Sequence, residues 1–231
     1  MRCGTTVQAL EIERGRPNGV LTNRGRLTAS HVVNAAGPSA GAIAASAGLR
    51  LPLVARALHV MVLSPGRPVG QSLPWAFDLD REFHYRGDTD DAILAGGFLK
   101  DRPVVDPQLP FDPRPPEDWE RRVLDSVGST FCVIDPDVAR IDRRITGLFS
   151  GPPDGLPIIE LSLPGLVTVT GFSGAGVMQA PAAGLLVSEL IDGRRCPIDG
   201  HRRASGGSLF RFATICVERS VLIGQRAISA L

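Results

Sequence analysis

The sequence predicts a mixed α+β or α/β fold in which short strands outnumber helices, and three stretches carry that expectation. LVTVTG (166–171) alternates β-branched residues and stops at a glycine, the pattern of a buried strand. It leads through Gly174 and Gly176 into a long Ala/Leu/Val/Met segment that reads as a helix, with Gly193 placed as its C-cap after Asp192. EFHYRGDTDDAILAGG (82–97) alternates, breaks at a polar turn and resumes as an apolar run, which spells an antiparallel hairpin. Strand, glycine-rich turn and helix start in that order bring backbone N–H groups and the positive end of a helix dipole to one place, where a ligand can meet them.

In chain order, residues 5–34 read as three short strands. TVQALEIER and GVLTN alternate, Gly15 to Gly19 supplies the first turn, Arg24-Gly25 supplies the second, and LTASHVVNAAG closes the meander. Pro38 to Gly48 is a small-residue helix. LVARALHVMVL (53–63) is a long strand whose apolar run is interrupted by Arg56 and His59. Residues 101–116 form a proline-rich surface loop. EDWERRVLDSVGSTF (117–131) is an amphipathic helix with Trp119, Val123, Leu124 and Val127 on its core face. PPDGLPII (152–159) is a turn followed by a short apolar run. Past Gly193, HRRASGG has the composition of a flexible basic linker. The dense apolar run from Leu209 reads as a helix or a strand pair, and as an association patch if exposed.

Composition removes several classes of function. The 231 residues suit one large domain or two small ones, and 43% hydrophobic residues are ample for a core. With 25 basic against 24 acidic residues the net charge is +1, so there is no field to recruit nucleic acid or an anionic membrane. MRCGTTVQALEIERG has no apolar core of a signal peptide. The most apolar helix candidate, 177–191, carries Gln179 and Glu189 and falls short of the ~20 residues that span a bilayer. The expectation is a soluble cytoplasmic protein. Cys3, Cys132, Cys196 and Cys216 form no C-x-x-C pair and keep no His at ligand spacing, so no metal site is expected.

GLFSGPPDGLPIIE (147–160) followed by GFSGAGVMQAPAAGLL (171–186) resembles the C-terminal signature of the FAD-dependent D-amino-acid oxidase superfamily. That group includes glycine oxidases, sarcosine oxidases and dehydrogenases, and dimethylglycine dehydrogenases. VVNAAGPSAGAIAASAGL (32–49) and FHYRGDTDDAILAGG (83–97) extend the resemblance, in the family's order, over most of residues 5–193. Members of the group open with a strand, G-x-G-x-x-G and a helix, and no such motif occurs here. The resemblance therefore implies an incomplete FAD-binding, Rossmann-like domain joined to an antiparallel-sheet substrate domain. Residues 1–50 and 147–193 would form the first, 51–146 the second, and 194–231 a divergent tail.

The same resemblance implies site residues. Val7 offers its backbone to the adenine of FAD, and Ala36 and Gly37 end the returning strand near the cofactor. Gly171, Ser173, Gly174, Ala175, Gly176, Val177 and Met178 form the turn at the flavin, with the amides of Ala175 to Met178 facing its pyrimidine edge. His84 or Tyr85, with Arg86, lies on the strand that faces the substrate. Phe149 holds the slot where amino-acid oxidases often place a carboxylate-clamping arginine; an aromatic there is more like the sarcosine and dimethylglycine branch and leaves the clamp to Arg86 or Arg144. Ala175 and Met178 stand where relatives often carry His and some oxygen-using members carry Lys, which puts rapid use of oxygen in doubt. The implied reaction is hydride transfer from the carbon beside an amine nitrogen to flavin, with no side-chain acid or base named. Two expectations follow: an amino-acid or amine oxidoreductase whose N-terminal half comes from another chain or was lost from this reading frame, or a non-catalytic remnant or partner subunit that holds no flavin alone.

Overall fold

Two adjacent residues with positive φ, Arg14 at 50° and Gly15 at 76°, fold the first hairpin. Such a pair matches the right-handed twist of the strands that flank it. The hairpin joins β1 (Val7–Glu13) to β2 (Arg16–Thr22), and β3 (Gly25–Thr28) completes an antiparallel meander in the order β1-β2-β3. Of the Gly15–Gly19 segment expected to form the turn, only Gly15 does so, together with Arg14 before it. Pro17 and Gly19 belong to β2: Pro17 sits at a register shift opposite Ile12, an irregularity of the kind at which a strand tolerates proline. A Cβ on Gly19 would lie 2.2 Å from the Leu27 carbonyl oxygen, so only glycine fits there.

The computed structural model describes residues 1–66, 73–88, 91–97, 103–110, 112–116, 118–130, 138–193 and 222–223. The described residues divide into two compact units, those within 1–55, 106–109 and 149–193 with 222–223 in the first, and those within 56–105 and 110–148 in the second. The expectations for the linker and the apolar run after Gly193 lie outside the described residues, apart from 222–223.

In the first unit, β4 (Val32–Asn34) leaves the meander and enters a second sheet, so LTASHVVNAAG is two strands in two sheets rather than one. That sheet runs β10 (Ile158–Leu163), β11 (Leu166–Thr170), β4, β12 (Leu222–Ile223). β10 and β11 are an antiparallel hairpin turned at Gly165, while β4 is parallel to both β11 and β12. Leu166 and Val167 are both fully buried because the sheet is covered on both faces. Leu166 packs with Val7, Leu10, Val20, Val32 and Ile43, the last from α1 (Ala40–Ala45). Val167 packs with Ala183, Leu186, Leu190 and Ile191 of α3 (Gly176–Ile191).

The second unit is one five-stranded sheet, β6 (Ala76–Asp78), β7 (Phe83–Gly87), β8 (Ile93–Gly97), β5 (Val54–Ser64), β9 (Arg140–Gly151), in that order. The pairs from β6 through β5 are antiparallel. α2 (Trp119–Thr130) covers one face, where Trp119, Val123 and Val127 join Met61, Leu63, Phe83, Tyr85, Ile93 and Ala95. The indole N–H of Trp119 donates to the Gly97 carbonyl at 3.3 Å. Of the helix face expected from the sequence, Leu124 packs at its margin, only partly buried. The result is mixed α and β structure with antiparallel sheets in both units.

Candidate functional site

The strands β4 and β11 run parallel, in register from Leu166 opposite Val32 to Thr168 opposite Asn34, and each is followed by a helix. The carboxyl ends of adjacent parallel strands are where open α/β sheets gather ligands. Two glycines mark those ends. Gly37, at φ 55°, follows β4, and Gly171, at φ 75°, follows β11. The Thr170 hydroxyl donates to the Gly37 carbonyl oxygen at 2.9 Å and ties the two ends together across 133 positions of sequence. Asn34 secures the β4 side, its Nδ2 donating to the Ala40 carbonyl at 2.9 Å.

From Gly171 the chain makes a turn that ordinary residues disfavour. Gly171, Ser173 and Gly174 all have positive φ, at 75°, 52° and 95°. Gly171 is also crowded: a Cβ would sit 3.0 Å from Pro152 and 3.1 Å from Leu53. Gly174 is the opposite case, with nothing within 4 Å of the position a Cβ would take. The Ser173 amide donates to the Ser150 carbonyl at 3.2 Å, which sets the end of β9 against the turn. A Cβ on Gly151 would overlap the Ser173 hydroxyl, so close backbone approach explains that glycine too. Phe149, half-buried, immediately precedes Ser150.

The turn spends one of the amides expected to be open. Ala175 is the N-cap of α3, and its N–H donates to the Phe172 carbonyl at 2.9 Å. The amides of Gly176, Val177 and Met178 are the first three of α3 and have no acceptor within the helix. No acidic residue lies in that first turn. The side chains of Val177 and Met178 are exposed. The arrangement presents three N–H groups and the positive end of a 16-residue helix beside an open glycine, which favours a group that gathers negative charge.

Val7 and Ala36 meet at a narrow apolar cleft in the first unit, shared with Leu10, Val20, Val32 and Ile43. A register shift between Val7 and Ala9 interrupts the ladder there, the irregularity that frees backbone groups for other partners.

In the second unit the three candidates on β7 separate by face. Tyr85 is buried in the α2 cluster, and burial pushes its phenol up from its ordinary value. His84 and Arg86 point to the other face, because neighbouring strand residues alternate. Of the alternatives His84 or Tyr85, the one that shares a face with Arg86 is His84. Arg144, the other candidate clamp, is engaged with Glu120 of α2, with Nη2 to Oε2 at 2.9 Å. Arg86 Nη1 lies 3.1 Å from the Gly87 carbonyl and 3.5 Å from the Asp88 carboxylate.

Sequence reasoning did not single out Thr170 or Ser150, whose bonds fix the turn. A hydroxyl at a strand end has no signature that announces a long-range partner. It also passed over Trp75 and Phe77, which lie on the same side of the second sheet as His84.

Residues 1–190 match the family model described as FAD dependent oxidoreductase, DAO. A D-amino acid dehydrogenase from Cereibacter sphaeroides is 29% identical over 231 residues, covering 98% of this chain and 47% of that protein. A glycine oxidase from Pseudomonas aeruginosa is 28% identical over 207 residues, covering 83% of this chain and 50% of its own length. The crystal structure of an L-proline dehydrogenase from P. horikoshii superposes with a TM-score of 0.71 at 27% identity, over 84% of this chain and 52% of that one. The chain spans about half the length of the curated relatives it matches. It belongs to the DAO family of FAD-dependent oxidoreductases.

Proposed function

We propose that these residues form the ring-side half of the flavin site in an amino-acid or amine oxidoreductase. The observation that carries the reading is the turn from Gly171 to Met178. It combines an open position at Gly174, three helix-end amides and no nearby acid in the helix's first turn. That combination fits the pyrimidine edge of an isoalloxazine, where negative charge collects on reduction. When bound, FAD supplies the acceptor for a hydride leaving the carbon beside an amine nitrogen.

The protein's own contributions in this reading are binding and orientation. The amides of Gly176, Val177 and Met178 hold the ring edge, and the Thr170–Gly37 hydrogen bond keeps the two strand ends in fixed relation. Val7 would offer its backbone to the adenine end, beside the register shift that interrupts the ladder after it. Arg86 contributes a carboxylate partner for the substrate, with no side chain assigned as acid or base. Because no G-x-G-x-x-G motif occurs in the 231 residues, tight FAD binding needs a phosphate-binding unit from outside them. A D-amino acid dehydrogenase and a glycine oxidase among the relatives support an amino acid or small amine as substrate.

The test is reconstitution. Purified alone, the 231-residue chain is expected to carry little or no flavin by its visible absorbance. Combined with a polypeptide that supplies the strand, G-x-G-x-x-G and helix, it is expected to gain flavin and reduce a dye when an amino acid is added. Flavin recovered without any amine-dependent dye reduction favours the other reading, a non-catalytic partner subunit. Failure to gain flavin in any combination overturns the proposal.

A further inference from the structure

Among the described residues of the second unit, α2 covers one face of the sheet, and the opposite face carries an ordered aromatic group. Trp75 and Phe77 come from β6 and the residue before it, and His84 and Arg86 from β7. The pairing of Phe77 with His84, and of Ala76 with Tyr85, puts all four on the side away from Tyr85 and Phe83. The Trp75 and Phe77 rings stack 5.3 Å apart at 25°. His84 tilts against both, at 6.3 and 5.6 Å. Its Cε1 leans over Gly96 on β8, where a Cβ would come within 3.2 Å. Trp75 and Phe77 are nevertheless 59% and 60% exposed. Two large aromatic side chains held in a stack, yet left in water, form a surface ready for an apolar ligand group.

We propose that Trp75, Phe77 and His84 form a subsite for the large planar side chain of an amino-acid substrate, with Arg86 taking its carboxylate. This rests on reading the β7 face as a substrate face. Two features select that ligand class. First, the described contacts of Arg86 use Nη1, to the Gly87 carbonyl and Asp88, so Nε and Nη2 remain as a pair of donors for a carboxylate. Second, a guanidinium on the same strand face, two residues from His84, disfavours a cationic group among the rings. The stack therefore serves an arene better than a methylated ammonium. Glycine and sarcosine would leave the rings in water, whereas a phenylalanine-like substrate covers them.

The experiment titrates the full chain with phenylalanine, phenylalaninamide, glycine and sarcosine while following tryptophan emission. Trp119 is only 4% exposed, so a change in the solvent-exposed component reports Trp75. Phenylalanine is expected to give a saturable change, glycine and sarcosine none at the same concentration. Phe77→Ala, an exposed position, is expected to weaken phenylalanine about tenfold. Arg86→Gln is expected to weaken phenylalanine but not phenylalaninamide, which lacks the carboxylate. Equal response to glycine and phenylalanine, or unchanged affinity in Phe77→Ala, overturns the subsite. So does a Trp75→Leu variant that changes only the oligomeric state, since the stack is then an interface. Dye reduction by the reconstituted protein separates the two readings. Phe77-dependent binding without oxidation leaves the subsite standing and removes the oxidoreductase reading. Oxidation that prefers glycine to phenylalanine does the reverse.

Discussion

Gly171 and Gly174 stand three residues apart in one turn, share a left-handed backbone, and are held there for different reasons. Gly171 is enclosed by Pro152 and Leu53, while Gly174 faces open space. An alanine at either position meets the steric cost of left-handed backbone, about 1–2 kcal/mol. At Gly171 the new methyl must also displace a proline ring and a leucine. Urea unfolding should therefore show Gly174→Ala destabilised by about 1 kcal/mol and Gly171→Ala by clearly more. Equal losses would mean that the packing around Gly171 relaxes freely. Ser173 takes positive φ without being glycine, and its hydroxyl donates to the Gly171 carbonyl at 3.3 Å within the same turn.

The elements differ in how plainly the sequence announces them. β11, the β7–β8 hairpin and α2 follow from periodicity, because each buries one face or both of a regular pattern. β9 does not, since Arg140, Asp142, Arg143 and Arg144 give it the look of a solvated segment. Those charges suit its place at the edge of the sheet, where they discourage pairing with another chain. The separation of β4 from the meander is also hidden, because no glycine or proline marks the break at Ala29 to His31. At the site, the glycines betray the turn, but the use of the Ala175 amide by Phe172 and the Thr170 tie depend on backbone geometry that no residue type encodes. Charge pairing at the edge has a measurable pH signature. The hydrogen bond from Arg144, reinforced by its charge and opposed by burial, holds the Glu120 carboxyl below its usual range. A folded value below the unfolded one adds stability above the unfolded pKa, near 4.3 as a rough reference, and that stability is lost as pH falls through the folded value. The pair is partly exposed, so solvent screening keeps its worth near neutrality small. Arg144→Gln should lower stability slightly at pH 7 and flatten the loss of stability on acidification below the unfolded carboxylate value. An unchanged acid limb would show that Glu120 and Arg144 do not pair in solution.

For the molecule as a whole, the family is settled by a match over residues 1–190, yet the chain covers about half of each curated relative. The sheet that carries the turn has parallel strands β11, β4 and β12, and among the described residues no helix is long and apolar enough to cross a membrane. The first unit carries the candidate ring-side turn, and the second carries an exposed aromatic pair. The division of labour is chemical: these residues offer amides and apolar walls, whereas the diphosphate of FAD asks for a glycine-rich loop they do not contain. Binding of FAD by this chain alone should accordingly be weak, and its footprint should lie at the turn rather than spread over the surface.

That footprint is the most direct test. Amide ¹H–¹⁵N spectra of the full chain, titrated with FAD and in parallel with ADP, separate contacts made by the flavin ring from those made by the nucleotide. The amides of Gly174, Gly176, Val177 and Met178 are expected to move with FAD and not with ADP, while those of α2 stay in place. Shifts at the turn that are the same for both ligands, or FAD-specific shifts confined to residues outside Gly171–Met178, would contradict it.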